Sequence, residues 1–257
     1  MRRPLFLLAS IVLVAVIAGA ATASPVQRTA ASAGTCALTP ASGFASCPGA
    51  DLHGKDISGK NLRRADLKGA DLTGANLLGT KLPAANLSKA KLAKATLDGV
   101  NLSFANLTFA KLAGASLYGA TLISANFAGA DLSGADLTNA NLTGANLSFA
   151  DLSKANLTHA NLSSANLNGA KLPGSNLDNV NFVGTNLSRA NLTRANMSST
   201  TLSGAYLFGT NMTGANLKNA SFLGADLTGA ILKDNKRGQN DWVGATCPNG
   251  QPAKTAC

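Results

Sequence analysis

From residue 50 to residue 232 the chain repeats one five-residue phrase without insertion or deletion. The phrase is Ala-(Asn/Asp)-Leu-(Ser/Thr)-X, as in Ala130-Asp131-Leu132-Ser133-Gly134 and Ala145-Asn146-Leu147-Ser148-Phe149. Leu fills the central position in 31 of 37 phrases, and the exceptions, Ile57, Phe127, Phe182, Met197, Met212 and Phe222, are all apolar. A period of five excludes the two common regular structures. On an α-helix five residues advance by about 500°, so successive leucines drift by roughly 140° and form no stripe. In a continuous strand an odd repeat sends every second Leu to the opposite face. A short extended piece followed by a turn keeps Ala and Leu, two residues apart, on one side and takes the Ser/Thr-X end around a corner. The repeat therefore predicts a solenoid.

From residue 50 to residue 232 these residues resemble the pentapeptide-repeat family, whose motif is A(D/N)LXX. The resemblance implies an all-β fold, a right-handed quadrilateral parallel β-helix. It implies four pentapeptides per coil and about nine coils, with Leu and Ala inside and the other three positions outside. At about 4.8 Å per stacked strand the rod is roughly 45 Å long.

The chain divides into four parts. Residues 1–23 read as a secretory signal, with Arg2 and Arg3, an apolar run from Leu5 through Ala18, and Ala21-Thr22-Ala23 as a small-X-small cleavage site. An uncleaved anchor is the competing reading, because Pro4 to Ala23 approaches the minimum spanning length. After cleavage no stable membrane span is expected. Residues 24–49 read as a linker and N-terminal cap, 50–233 as the repeat, and 234–257 as a C-terminal cap. Lys55 and Lys60 occupy normally inward Ala positions, so the first coil is expected to depart from the pattern.

Cys36 and Cys47 lie at one end of the repeat, Cys247 and Cys257 at the other. An even number of cysteines in an exported chain argues for disulfides, with three pairings open. If the rod has the implied length, only Cys36–Cys47 and Cys247–Cys257 satisfy a Cα separation within roughly 7 Å. Neither pair has CxxC spacing, and His53 and His159 are far apart in sequence, so no metal site is expected. Open solenoid ends invite association unless covered. Trp242 continues the central register and is expected to lie over the last coil as a lid, pinned by the Cys247–Cys257 loop.

With four pentapeptides per coil, every fourth phrase falls in the same column. Asn86, Asn106, Asn126, Asn146, Asn166 and Asn186 stack between Asp66 and Tyr206, which predicts an amide ladder. Another column predicts cross-coil pairs of Asp71 with Lys91, Lys111 with Asp131 and Asp151 with Lys171. The sequence has 22 Lys+Arg against 12 Asp and no Glu, a net +10, and losing Arg2 and Arg3 with the signal leaves +8. That balance favours anionic partners. Lys60, Arg63, Arg64 and Lys81 form the candidate anion patch, with a plain solvated face as the competing reading. Phe109, Phe149, Tyr206 and Phe208 fall on one face as a candidate aromatic contact surface.

No catalytic residues and no cofactor are expected: there is no Glu, the two His are distant, and GxSxG, HExxH and P-loop patterns are missing. Asn-Leu-Ser/Thr triplets match the N-glycosylation pattern, but they follow automatically from the repeat. The leading expectation is a secreted, non-enzymatic structural or interaction solenoid at the cell envelope or outside it, binding a protein or a polyanionic envelope polymer. The resemblance also implies an alternative, because some family members imitate B-form DNA and inhibit DNA gyrase. Such mimicry needs an acidic surface and a cytoplasmic target, so basic charge and export argue against it; nucleic acid is not an expected partner of an exported chain. A third reading is a hydrolase or lectin-like sugar binding through Phe109, Phe149 and Tyr206.

Overall fold

The computed structural model describes residues 45–253 and Cys257. The expected signal, most of the expected linker and Cys36 lie outside these residues. Parallel β-bridges join each residue at the Asn/Asp position to its equivalent four phrases later, from Ser46↔Asp66 to Asp226↔Thr246. Four pentapeptides therefore separate any residue from the one stacked on it. The outer surface falls into four strips, each recurring with every fourth phrase: strip 1 starts from residues 50–54, strip 2 from 55–59, strip 3 from 60–64 and strip 4 from 65–69.

Why this chain coils can be read from its backbone N–H groups, which must all find acceptors when shielded from water. In the phrase Asn141-Leu142-Thr143-Gly144-Ala145, the Asn141 N–H donates to Ala120 O in the preceding coil at 2.9 Å. The Leu142 and Gly144 N–H groups donate forward, to Asn161 O at 2.7 Å and Ser163 O at 2.9 Å. Ala145 N–H closes the turn onto Leu142 O at 2.9 Å. Thr143 N–H, which faces no carbonyl, donates to the side-chain Oδ1 of Asn141 at 3.1 Å. Every donor is used, and the Asn/Asp side chain supplies the one acceptor that the backbone cannot.

The turn explains the fifth position. Closure from Ala N–H to Leu C=O with a positive φ at the residue before Ala is a type II turn, which favours Gly there. Gly144 has φ 65°, while Phe109 and Phe149 adopt 56° and 58° at the same position. Inside the coil, Leu and Ala are stripped of water, and Leu72 through Leu122 are fully buried. Each Leu contributes about 1.5–3 kcal/mol. Where Thr or Ser replaces the inward Ala, its hydroxyl finds a carbonyl: Thr80 donates to Ile57 O at 3.0 Å, and Ser175 to Leu172 O at 2.8 Å.

The first coil departs only in its side chains. Lys55 and Lys60 keep the turn bonds, to Leu52 O at 3.1 Å and Ile57 O at 3.4 Å, while Lys55 is exposed and Lys60 half-buried. Two columnar expectations need correction. The amide ladder of strip 4 is broken: Asn146 donates to Asn126 at 3.2 Å and Asn166 to Asn146 at 3.4 Å, but Asn106 and Asn126 make no such donation. Their Oδ1 atoms accept the Thr108 and Ala128 N–H groups of their own turns, and Asn126 Oδ1 also takes the Asn146 amide, while their own amide N–H groups have no acceptor among the described residues. The more continuous ladder is on strip 2, where Asn176, Asn196 and Asn216 each donate one coil back, at 3.3, 2.9 and 2.8 Å. Of the expected ion pairs, Lys91–Asp71 forms at 3.0 Å and is the one salt bridge among the described residues. Pairing Lys111 with Asp131 or Lys171 with Asp151 gains too little at an exposed site to offset ordering a lysine.

The N–H ledger also accounts for both prolines inside the repeat. Lys81 and Lys171 stand where Asn or Asp normally accepts, and the residues that would need that acceptor are Pro83 and Pro173, which have no N–H. Asn101 accepts Ser103 N–H at 3.0 Å. Asn101→Lys is expected to lower stability by about 1 kcal/mol, and adding Ser103→Pro to restore most of that loss. Urea denaturation of the two variants and the parent checks this; a double variant no better than the single one contradicts the accounting.

Candidate functional site

Three groups of side chains stand apart from the lattice. The first is at the C-terminal end. Trp242 stacks on Phe222, one coil below, with ring centroids 4.3 Å apart and planes 4° from parallel, and is 5% exposed. The register runs unbroken through Lys236, Asp241 and Thr246, and only the turn after Lys236 is irregular. Arg237, at a position that is central by count, is exposed and lies 5.8 Å from the Trp242 ring centroid. Asn235 and Asn240 turn their amides onto the carbonyls below, Asn235 to Met212 O and Asn240 to Ala220 O at 3.1 Å. Cys247 and Cys257 form a disulfide with Cα atoms 5.2 Å apart. The strap it closes folds back antiparallel, bridging Thr246 to Pro252, with Ala253 N–H on Ala245 O at 2.8 Å. At the other end Cys47 is buried, and Cys36, its expected partner, lies outside the described residues.

The second group is cationic. The bridge Asn61↔Lys81 stacks Lys81 on the phrase that carries Lys60, Arg63 and Arg64. Lys81 N–H donates to Lys60 O at 2.9 Å, and Arg64 N–H to Pro83 O at 2.9 Å. The repeat thus brings the four residues together on two adjacent coils of strip 3, with Arg63, Arg64 and Lys81 exposed. From Asn101 to Gly224 strip 3 carries no charged residue at all, so this cluster concentrates charge at one end of a neutral strip.

The third group is aromatic, on strip 4. Phe109 and Phe149 are 63% and 68% exposed, and Tyr206 and Phe208 are also exposed on this strip. Both Phe rings lean over a glycine of the next coil: a Cβ on Gly129 would lie 2.6 Å from Phe109 Cε1, and one on Gly169 2.7 Å from Phe149 Cε1. Sequence reasoning named the rings and missed the glycines, although the pattern of Phe followed by Gly four phrases later is written twice. It also missed Phe104 on strip 3 and Tyr118 on strip 2, both exposed. On strip 2 Tyr118 is tied into a small polar network: Asp98 accepts the Tyr118 N–H at 3.1 Å and the Ser116 hydroxyl, and Asn139 donates to the Tyr118 hydroxyl at 3.2 Å.

Electrostatics at these groups are mild. The Thr73 hydroxyl, the Lys91 ammonium and the Thr73 N–H hold the Asp71 carboxyl down to about 2. Asp56 is lowered by the Ser58 N–H and hydroxyl, and by Lys60. Among the described residues no cluster of three or more His, Cys or Asp could hold a metal ion, and no helix is long and apolar enough to cross a membrane. His159 bonds through Nδ1 to the side-chain amide of Asn179 at 2.8 Å.

Comparison with known proteins gives a consistent result. The family profile for pentapeptide repeats matches in overlapping segments from residues 45–82 to residues 195–234. No curated protein matches the sequence. Among solved structures, the chain is similar to HetL, a pentapeptide repeat protein involved in heterocyst differentiation regulation from the cyanobacterium Nostoc sp. strain PCC 7120. Identity is 34% and the TM-score 0.60, with 79% of this chain and 91% of that one covered. It is also similar to trypsin-treated QnrB1, a plasmid-mediated fluoroquinolone resistance protein, at 23% identity and a TM-score of 0.51, covering 76% and 89% of the two chains.

Asp71 sets a pH dependence whose sign is fixed. Its carboxyl titrates lower in the folded chain, at about 2, than the ordinary carboxylate value of about 3.9. Its contribution to stability is therefore complete above about pH 3.9 and is lost as pH falls through about 2. Asp71→Asn keeps a side-chain oxygen for the turn and removes the charge. Urea midpoints measured from pH 6 to pH 2 are expected to differ between the two proteins at the top of that range and to converge at the bottom.

Proposed function

The chain belongs to the pentapeptide-repeat family, and on that premise we propose that it is an exported, non-enzymatic solenoid that offers its surface to a protein or polyanionic partner at or beyond the cell envelope. The observation that carries this reading is how the outer polar side chains are used. Asn and Asp serve as turn acceptors, many of the Ser and Thr hydroxyls bond to those same residues, and no acid, base and nucleophile converge on a common point among the described residues. Catalysis requires such convergence. HetL, a relative in the same family, is described by a regulatory role, which supports an interaction function here as well. The likeness to QnrB1 is one of fold alone.

Export rests on the apolar leader with its small-residue cleavage site and is supported by the Cys247–Cys257 disulfide, a bond that persists in oxidising compartments. In this reading the coil is four-sided, the two ends are sealed by disulfide-bearing caps, and Trp242 is the lid at the C-terminal end. The patch of Lys60, Arg63, Arg64 and Lys81 is where an anionic partner docks. Inhibition of gyrase by DNA mimicry is disfavoured by a net charge of +10, opposite in sign to DNA.

Two measurements test the proposal. Intact mass spectrometry of protein recovered from cell fractions is expected to show cleavage after Ala23, two disulfides, and enrichment in the envelope or medium. A full-length, reduced, cytoplasmic species together with potent inhibition in a supercoiling assay would replace this reading with the gyrase one. For the cap, Trp242→Ala is expected to leave the coil folded by circular dichroism but to produce concentration-dependent end-to-end association in analytical ultracentrifugation. A variant that stays monomeric at high concentration removes the lid role.

A further inference from the structure

We propose that strip 4 is a binding track for a linear, uncharged β-linked glycan, whose sugar rings stack on Phe109 and Phe149. This goes beyond the scaffold reading and needs neither the cationic patch nor export to hold. Five features of the strip point to that occupant.

The rings are seated. Each leans onto the glycine of the next coil, occupying the space a side chain there would take, with 2.6 and 2.7 Å between ring carbon and a would-be Cβ. A ring so placed keeps its outer side in water, and the two are 63% and 68% exposed. The rings are also costly to hold there. Both residues sit at positive φ, 56° and 58°, where the turn favours glycine, so the backbone is strained at each position. Next, the rings repeat by translation. They occupy equivalent positions two coils apart, hence about 9.6 Å along a straight line at about 4.8 Å per coil. An extended β-linked chain of pyranose rings turns the same apolar sugar face to one side every second residue, and its disaccharide repeat is similar in length.

The remaining two features concern polarity. Asn106 and Asn126, beside the rings, spend their Oδ1 atoms on their own turns, and among the described residues no acceptor takes their amide N–H groups, which are left for sugar hydroxyls. Finally, strip 4 has no charged residue from Ala105 through Gly169. A nucleic acid or acidic polymer would carry several unmatched negative charges across that stretch, whereas a neutral glycan carries none.

The test is retention of the mature protein on insoluble cellulose and chitin, with soluble cellohexaose and chitohexaose titrated calorimetrically. Retention is expected for the parent, and Phe109→Ala with Phe149→Ala is expected to weaken it by roughly tenfold or more. Gly129→Ala, which keeps the ring but displaces it, is expected to weaken binding in the same direction. Phe104→Ala, which removes an exposed ring on strip 3, is expected to leave binding unchanged, and circular dichroism melting confirms that all variants fold. No retention of the parent on either glycan, or equal loss with Phe104→Ala, overturns the proposal. So does a double variant that loses a protein partner while the parent binds no sugar. None of those results bears on the cleavage site or the disulfides, so the scaffold reading stands or falls separately.

Discussion

The structure depends on a turn with two hydrogen bonds of its own that closes without help from any other part of the chain. Leu C=O accepts the Ala N–H three residues on, the residue before that Ala takes a positive φ, and the Asn or Asp before Leu accepts the one N–H that the turn strands. Once that unit exists, its remaining donors point up or down the coil axis, and the only way to satisfy them is another unit stacked four phrases along the chain. Leucine burial drives the collapse, but burial is non-directional. The turn is what converts an apolar repeat into a coil of fixed circumference.

That division of labour explains where substitutions are tolerated. The central position accepts Phe, Met and Ile because the interior of a coil needs volume and no particular shape at each level, as with Phe222 stacked beneath Trp242. The inward Ala position accepts Ser or Thr only by giving the hydroxyl a carbonyl, and Thr80, Ser175, Thr185, Thr200 and Thr210 all do so. The Asn/Asp position accepts Lys most cleanly when the residue two further on is Pro. Sequence variation along the repeat follows hydrogen-bond supply.

The solenoid was legible from the five-residue period, because a helix and a strand each scatter the leucines. So were the position of Trp242 in the central register and the closeness of Cys247 to Cys257 in sequence. The role of Asn and Asp was not. Reading down a column suggests ladders between coils, but the side-chain oxygen first serves the N–H two residues along its own chain, as in Asn106 and Asn126, and bonding to the next coil is added only at some positions. Two of the three predicted ion pairs failed for a related reason, while Lys91–Asp71 formed. Spacing places Lys111 and Lys171 one coil from an Asp, yet an exposed lysine gains little by giving up its rotamers. Of the candidate sites, spacing located the cationic cluster and the aromatic strip, while the seating of the rings on Gly129 and Gly169 needed the register of the coil.

The fifth position carries the surface chemistry of this fold, and the lattice limits how that chemistry can be spaced. A side chain there leans toward its counterpart one coil on: Lys94 approaches Gly114 and Lys154 approaches Gly174, each with 3.9 Å between side-chain Cγ and a would-be Cβ, and Arg194 approaches Gly214 at 3.3 Å. A bulky residue therefore works best when glycine follows it one coil later, and Lys89 beneath Phe109 is an exception to that habit. Apart from that pair, bulky groups at the fifth position of a column are set two or more coils apart. Small polar residues can occupy consecutive coils when they bond to one another, as His159 and Asn179 do. The steric rule that permits a close-stacked coil thus also fixes the grain of its surface, and any extended partner recognised along one strip has to match a multiple of the coil rise.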